Sequence, residues 1–313
     1  MQSLFLKKKV YRLEATVILP THNRMPILKS CLSHLMNQTV NGFEVILIDD
    51  CSTDGSYEYI KGTNYPNLHY IPLEKQRGPY YARNIGIKEA KGEIIIFIDS
   101  DVIVFPGFIE DHIKIHNRRK DIVLQGMVKH VRSLEEVSTK GFYLPNALCL
   151  KTFITQNVSV RRKYLVSVGG FDNFGPEMGY KDVDMGFKLM KLGLKWVYGI
   201  RKCKAFHIDS IPSEESLKQT FEKWEKQGSS AYYFVKKWGK SGEKYARTRK
   251  AIFFSNLLST ERWVERESTS KMMIQSKKFL GIVGVVLKGI TRYHYRKKGI
   301  QKAMNNESFG NRS

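Results

Sequence analysis

The sequence predicts an α/β protein with a doubly wound, mainly parallel sheet flanked by helices, followed by a helical and basic C-terminal extension. Three observations carry this expectation. Short apolar runs of strand length alternate with amphipathic stretches of helical length, the pattern of βαβ units. The Ile-rich run Glu93 to Ile98 has no polar face and reads as a strand buried on both sides. Two of the strands end in carboxylates, Asp49-Asp50 and Asp99-Ser100-Asp101, and open α/β sheets gather their ligands outside the carboxyl ends of their strands.

Taken in order, Glu14 to Leu19 is the first strand and Pro20 to Asn23 its exit loop. Pro26 to Gln38 is a helix, with Leu28, Cys31, Leu32 and Leu35 at spacings of three and four and a proline suited to the first turn. Phe43 to Ile48 is the second strand. Ser52 to Ser56 opens another helix with several capping residues to hand. Leu68 to Ile71 is a weak third strand. Gly78 to Ala90 is helical and leads into the central strand. Phe108 to Arg119 is a helix, Ile122 to Val131 a strand, and Arg132 to Thr155, which has no period, a mobile loop with short structure. Asn157 to Val160 is a strand, Arg161 to Val168 a short helix, and Asp182 to Leu192 a helix with Met185, Leu189 and Leu192 on one face. Lys195 to Tyr198 is the last strand before Ala205-Phe206-His207.

Beyond Ser213, a natural helix start, the chain turns helical, basic and aromatic. Leu217, Phe221 and Trp224 form one stripe, Ala231 to Trp238 and Ala251 to Leu258 are further helices, and the tail from Asn305 is expected to be disordered. The formal charge of +22 over 313 residues calls for a polyanionic neighbour. After Glu267 ten Lys/Arg residues face one carboxylate, Glu307, so the excess is gathered away from the acidic strand ends. Phe279 to Leu287 is uncharged and lies between Lys277, Lys278 and Lys288. It is too short for the ~20 apolar residues of a membrane span. With Leu280, Val283 and Leu287 on one face and Arg292, Arg296, Lys297 and Lys298 beyond, it reads equally as an interfacial helix on an anionic membrane or as a helix packed on the protein. Cys31, Cys51, Cys149 and Cys203 lack metal spacing and read as reduced thiols. The first residues, MQSLFLKKKVYRLE, lack the apolar core of a secretory signal. The expected location is cytoplasmic, with peripheral attachment to the inner face of the cell membrane left open.

Two carboxylates at the end of a buried strand are costly unless a cation binds them. A divalent ion bridging to phosphate is the natural partner for Asp99 and Asp101. In order and spacing, TVILPTHNR (16–24), EVILIDDCSTDGS (44–56), RGPYYARNIGIKEAKGEIIIFIDSD (77–101) and GGFDNFGPEMGYKDVDMGFKL (169–189) resemble the family 2 glycosyltransferases over roughly residues 14 to 240. These are inverting, metal-dependent enzymes of the Rossmann-like GT-A fold that use nucleotide sugars. The resemblance implies a GT-A catalytic domain over 1–212, divided into a nucleotide-binding half (14–101) and an acceptor half (102–212), followed by the helical region 213–313.

It further implies roles for individual residues. The loop Pro20, Thr21, His22 and Asn23 contacts the nucleotide, with His22 beside the base. Asp50 takes the base N–H, while Asp49 caps a turn or holds the loop. Arg83 and Asn84 lie on a helix under the nucleotide, Arg83 within reach of phosphate or Asp99, and Gly78 permits close backbone approach before it. Asp101 ligates Mn²⁺ or Mg²⁺, Asp99 acts on the metal shell or the ribose, and His207 stands where relatives place a third ligand. Asp182 is the implied base that deprotonates the acceptor hydroxyl. Lys181 departs from the family pattern, which has Glu there; it lowers the basicity of a neighbouring carboxylate or binds an anionic group on the acceptor. Glu177 is a substitute for that missing Glu, and Asp184 a local cap or pair. The implied donor is a nucleotide diphosphate sugar, UDP favoured, and the acceptor a glycan or lipid-linked hydroxyl, with no nucleic acid partner. Two other readings stay open. One is a nucleotidyltransferase, although such enzymes carry a Gly-rich basic loop after the first strand and TVILPTHNR is not one. The other is an inactive GT-A-fold protein that binds membrane or nucleic acid.

Overall fold

A computed structural model describes residues 13–137, 153–172, 179–209, 214–257 and 281–310. The chain separates into two compact units, one of Met1–Phe171 with Met185–Asp209, the other of Asp172–Asp184 with Ser210–Ser313.

The first unit is built on an eight-stranded sheet. Strands β1 (Ala15–Thr21), β2 (Phe43–Asp49), β3 (Leu68–Pro72) and β4 (Ile94–Ile98) run parallel in the order β3-β2-β1-β4. Every residue of β1, β2 and β4 is buried, as expected of strands covered on both faces. Helices α1 (Met25–Met36), α2 (Ser56–Lys61) and α3 (Pro79–Glu89) make the crossovers. Leu28, Cys31, Leu32 and Leu35 are the buried stripe of α1, as their spacing predicts. Gly78, at φ +86°, turns the chain into α3. A side chain at Gly86 would meet Ile18 of β1 at 2.6 Å, so the glycine lets α3 approach the sheet closely.

The other half of the sheet is mixed. Strand β7 (Asn157–Arg161) is antiparallel to β4 and to β6 (Ile122–Val131). β6 is parallel to β8 (Lys195–Ile208), and β8 is antiparallel to β5 (Val102–Val104). Helices α4 (Phe108–Arg118), α5 (Arg162–Ser167) and α6 (Lys181–Lys191) complete the series. The sequence places Lys195–Tyr198 and Ala205–His207 apart; they are one strand with an interrupted register. Pairing jumps from Gly126–Gly199 to Met127–Lys204, and Cys203 takes a left-handed φ of +53° in the inserted stretch. The break is held from below. Asn157 is fully buried and its Nδ2 donates to the carbonyls of Met127 (3.1 Å) and Cys203 (2.8 Å).

Other expectations need correction. Phe153, placed in a loop, is fully buried against Phe97 and Phe171 with ring centroids 5.7 and 6.1 Å away. Its apolar neighbours decide this, not a local period. Residues 138–152 of the same segment, with Cys149, and Glu177 lie outside the described residues. Leu192 is exposed because α6 ends one residue before it, and Leu194 is buried instead.

The second unit is helical: α7 (Glu214–Ala246), α8 (Thr248–Leu257) and α9 (Gly281–Gly310). Ala231 to Trp238 is part of α7, which is interrupted at Gly239 (φ 56°, ψ −131°). Phe221 and Trp224 are buried and Tyr295 stacks on Phe221 at 4.7 Å; Ser213 and the side chain of Leu217 lie outside the described residues. Helices α7 and α9 cross at backbone contact. A Cβ on Gly299 would lie 1.9 Å from the Glu225 carbonyl oxygen, and one on Gly228 2.2 Å from that of Arg296. Ser229 Oγ donates to the Gly299 carbonyl at 2.7 Å.

This packing revises the reading of the C-terminus. α9 continues through Asn305 to Gly310, so the tail is not disordered from Asn305; Ile300 and Ala303 are buried and carry the helix along. Arg296 Nη2 donates to Tyr180 Oη and to the Ala246 carbonyl, both at 2.8 Å, which anchors its side chain within the unit. Residues 277–280, Leu280 among them, and the side chains of 281–288 lie outside the described residues. Among the described residues no helix is long and apolar enough to cross a membrane.

A buried polar cluster under β7 generates a prediction. His112 and His116 of α4 both meet Ser159 Oγ at 2.8 Å, and His112 also meets Asn157 Oδ1 at 3.2 Å. Burial holds His112 down at about 3 and His116 at about 4. Both are neutral in the folded state, whereas the unfolded chain protonates them below about 6.5. Stability is therefore full above that pH and is lost as pH falls toward 4, by up to about 1.4 kcal/mol per pH unit per histidine. Denaturant unfolding from pH 7 to 4 is expected to show this slope, and His116→Gln should make it shallower by about one proton.

Candidate active site

The carboxyl edge of β1, β2 and β4 gathers the sequence-predicted polar residues of the first unit. Pro20 and Thr21 end β1, and Asn23 follows at a left-handed φ of 50°, a region asparagine tolerates better than most residues. Asn23 N–H donates to Ser52 Oγ (2.9 Å) and its Oδ1 accepts from Thr53 N–H (2.8 Å). Asp54 Oδ2 accepts from Met25 N–H at 2.7 Å, capping α1 from the other loop. Burial pushes the Asp54 carboxyl up, but bonds from Ser56 and Met25 outweigh it and hold it below its usual range. The loops after β1 and β2 are thus one stitched surface. His22 Nδ1–H donates to the Asp50 carbonyl at 2.8 Å, leaving Nε2 to accept from Asn23.

The acidic pair at the end of β2 divides its work. Asp49 accepts from Ser52 N–H (2.9 Å) and Tyr70 Oη (2.7 Å), which holds the turn. Asp50 is buried and its two oxygens accept from the backbone N–H groups of Arg77 (2.7 Å) and Gly78 (2.8 Å). The entry to α3 is therefore pinned to the end of β2. Each Asp50 oxygen keeps a further lone pair for a ligand donor.

Asp99 and Asp101 follow β4. Arg83 is buried, not a surface arginine, and its Nη2 donates to Asp99 Oδ1 at 2.6 Å. Asn84 beside it faces a backbone: its Nδ2 donates to the Phe171 carbonyl and its Oδ1 accepts from Phe171 N–H, both at 2.8 Å. It fixes the Gly-Gly-Phe turn, where a Cβ on Gly170 would meet its Oδ1 at 2.5 Å.

The break in β8 brings the third polar group to Asp101. Val102 pairs with His207, and Ile208 N–H donates to the Asp101 carbonyl at 2.9 Å. His207 Nε2 lies 3.2 Å from Asp101 Oδ1. That oxygen is buried and has no aligned hydrogen bond. Burial pushes the Asp101 carboxyl up, but His207 and Arg24 pull harder and hold it below its usual range. Burial lowers His207, but Asp101 first, then Asp99 and Asp209, outweigh it and raise it.

Two participants were not assigned from sequence. Arg24, half-exposed, donates from Nη1 to Asp101 Oδ2 at 2.9 Å; its only sequence signal is a basic residue three positions past the end of β1. Asp209 Oδ1 lies 3.0 Å from His207 Nδ1 and 2.8 Å from His130 Nδ1. A carboxylate on Nδ1–H turns the other ring nitrogen toward Asp101, an arrangement common behind metal-bound histidines.

Among the described residues, Asp99, Asp101 and His207 offer ligand atoms that all lie within 4.8 Å of one another, and so do His130, His207 and Asp209. The first set fits a divalent cation: two carboxylates and one imidazole, with a buried carboxylate oxygen lacking a hydrogen bond. The imidazole favours Mn²⁺ over Mg²⁺, which takes oxygen ligands and keeps its waters.

In the second unit, Asp182 and Asp184 lie in the first turn of α6. Asp182 is half-buried, whereas Lys181 is buried and not displayed to solvent. Asp184 is no local cap: it accepts from Lys237 and Trp238 of α7.

Residues 16–166 match the protein family described as glycosyl transferase family 2. The chain is 28% identical to the uncharacterized glycosyltransferase YfnE of Bacillus subtilis (strain 168), over 58% of this chain and 62% of that protein; it therefore spans about three fifths of that relative. Among solved structures it is similar to the mannosyltransferase PcManGT from Pyrobaculum calidifontis in complex with GDP-Man and Mn²⁺, at 17% identity and TM-score 0.62, covering 94% of this chain and 88% of that one. It is also similar to S. aureus TarS 1–349 in complex with UDP-GlcNAc, at 17% identity and TM-score 0.57, covering 94% and 92%. The shared fold is GT-A.

Proposed function

We propose, from the premise that this chain belongs to glycosyl transferase family 2 through residues 16–166, that it is an inverting glycosyltransferase. It moves a sugar from a nucleotide diphosphate sugar, UDP favoured, to a hydroxyl of a glycan or lipid-linked acceptor. The observation that carries this reading is the convergence of Asp99, Asp101 and His207 at the carboxyl edge of the family domain.

On this reading Asp101, Asp99 and His207 hold Mn²⁺ or Mg²⁺, with Asp209 orienting His207. A cation held there would supply the positive charge that stabilises a diphosphate leaving group. Arg83 holds Asp99 in place. Arg24 bonds Asp101 Oδ2 from an exposed position and would supply a further positive group near the phosphates. The loop Pro20 to Asn23 and the carboxylate of Asp50 receive the nucleoside. Asp182 removes the proton from the acceptor hydroxyl, as inversion requires of a base opposite the leaving group. The charge of +22 suits an anionic acceptor carrier or the inner membrane surface.

Two outcomes test this. Asp101→Ala is expected to keep the fold, because the site lies at a sheet edge, and to lose the rise in melting temperature that UDP plus Mn²⁺ gives the parent. Retention of that rise in the variant removes the metal assignment. Asp182→Asn, nearly isosteric, is expected to leave UDP binding intact and to slow transfer by about two orders of magnitude; unchanged turnover assigns the base elsewhere.

A further inference from the structure

One lysine of α7 holds both flanks of the stretch that contains Asp182. Lys237 Nζ donates to Asp172 Oδ2 and to Asp184 Oδ1, each at 2.6 Å. The indole Nε1–H of Trp238 donates to the same Asp184 oxygen at 2.7 Å. Asp172 closes the Gly-Gly-Phe-Asp turn ten residues before Asp182, and Asp184 sits in the first turn of α6 two residues after it. All of these groups belong to the same compact unit.

The bonds are short and charge-assisted, the strong class. Asp184 is fully buried, so burial together with the bonds from Lys237 and Trp238 keeps its carboxylate in place. In a helix, residues two apart point about 200° away from each other. Holding Asp184 against α7 therefore fixes the rotation of the first turn, and with it the direction of Asp182. Burial lowers the Lys237 ammonium, but Asp172 and Asp184 outweigh it and raise it, so the cation persists at neutral pH.

We propose that Lys237 is a positioning residue for the transfer step: by bridging Asp172 and Asp184 it aims Asp182 at the acceptor hydroxyl. The inference rests on Asp182 as the base. It also gives the C-terminal helical region a part in the chemistry in place of a tether only. A misplacement of ~1 Å at a reacting group costs about 10²-fold, which sets the scale of the effect.

The test uses the full chain with Mn²⁺ and UDP-GlcNAc, or whichever member of a UDP-sugar panel the parent turns over, and reads UDP release together with the melting temperature. Lys237→Met is expected to lower kcat by about ten- to a hundredfold with the donor KM unchanged. It also lowers the melting temperature, because Asp184 is left buried without its cation. Lys237→Met combined with Asp184→Asn removes both charges and keeps an acceptor for Trp238; it is expected to recover the melting temperature but not kcat. Recovery of both in the double variant, with Asp182→Asn still slow, overturns the positioning role alone. A change in donor KM at unchanged kcat overturns it as well. Unchanged kcat in Asp182→Asn overturns the base assignment, and this inference with it.

Discussion

The first unit depends on keeping four carboxylates at the carboxyl edge of one sheet. Each is partly withdrawn from water, and each is satisfied differently. Asp49 and Asp50 take neutral donors, a hydroxyl and three backbone N–H groups. Asp99 and Asp101 take cations, Arg83 and Arg24, with His207 behind. The division has a physical basis. Backbone N–H groups stay where the fold puts them and make a rigid cradle, whereas an exposed arginine can leave a carboxylate when a stronger cation competes. The β2 end is therefore held by fixed backbone donors, and the β4 end by one buried arginine, Arg83, and one exposed one, Arg24. The loops after β1 and β2 are stitched to each other through Asn23 and Asp54.

His207 reaches that edge only because β8 breaks register against β6. Without the inserted residues after Gly199, the strand would continue in step and a different side chain would stand opposite Val102. Such a break leaves carbonyls that need donors in a dry interior, and the amide of Asn157 supplies two of them. The neutral histidines of α4 complete the cluster around Asn157 and Ser159.

The parallel half of the fold was legible because its signals are local. Continuous apolar runs, the spacing of Leu28, Cys31, Leu32 and Leu35, and a glycine before α3 need no tertiary information. What escaped was set at long range. β5 has three residues and exists only because β8 pairs with it. Phe153 is defined by Phe97 and Phe171. The acidic strand ends announce the candidate site, but Arg24 lies 77 residues from Asp101, and nothing in its own neighbourhood marks the pairing. Formal charge is blind to the same long-range partners. A count of basic residues cannot tell that Arg296 Nη2 donates to Tyr180 Oη and to the last carbonyl of α7.

The crossing of α7 and α9 has an evolutionary consequence. At Gly228 and Gly299 the opposing backbone occupies the space where any β-carbon would go. Substitution there is filtered by volume alone, whatever the polarity or charge of the newcomer. Exposed positions of α7 such as Lys223 and Lys226 face no such filter. Divergence in this region should therefore rewrite what the surface meets while the seam beneath it stands still.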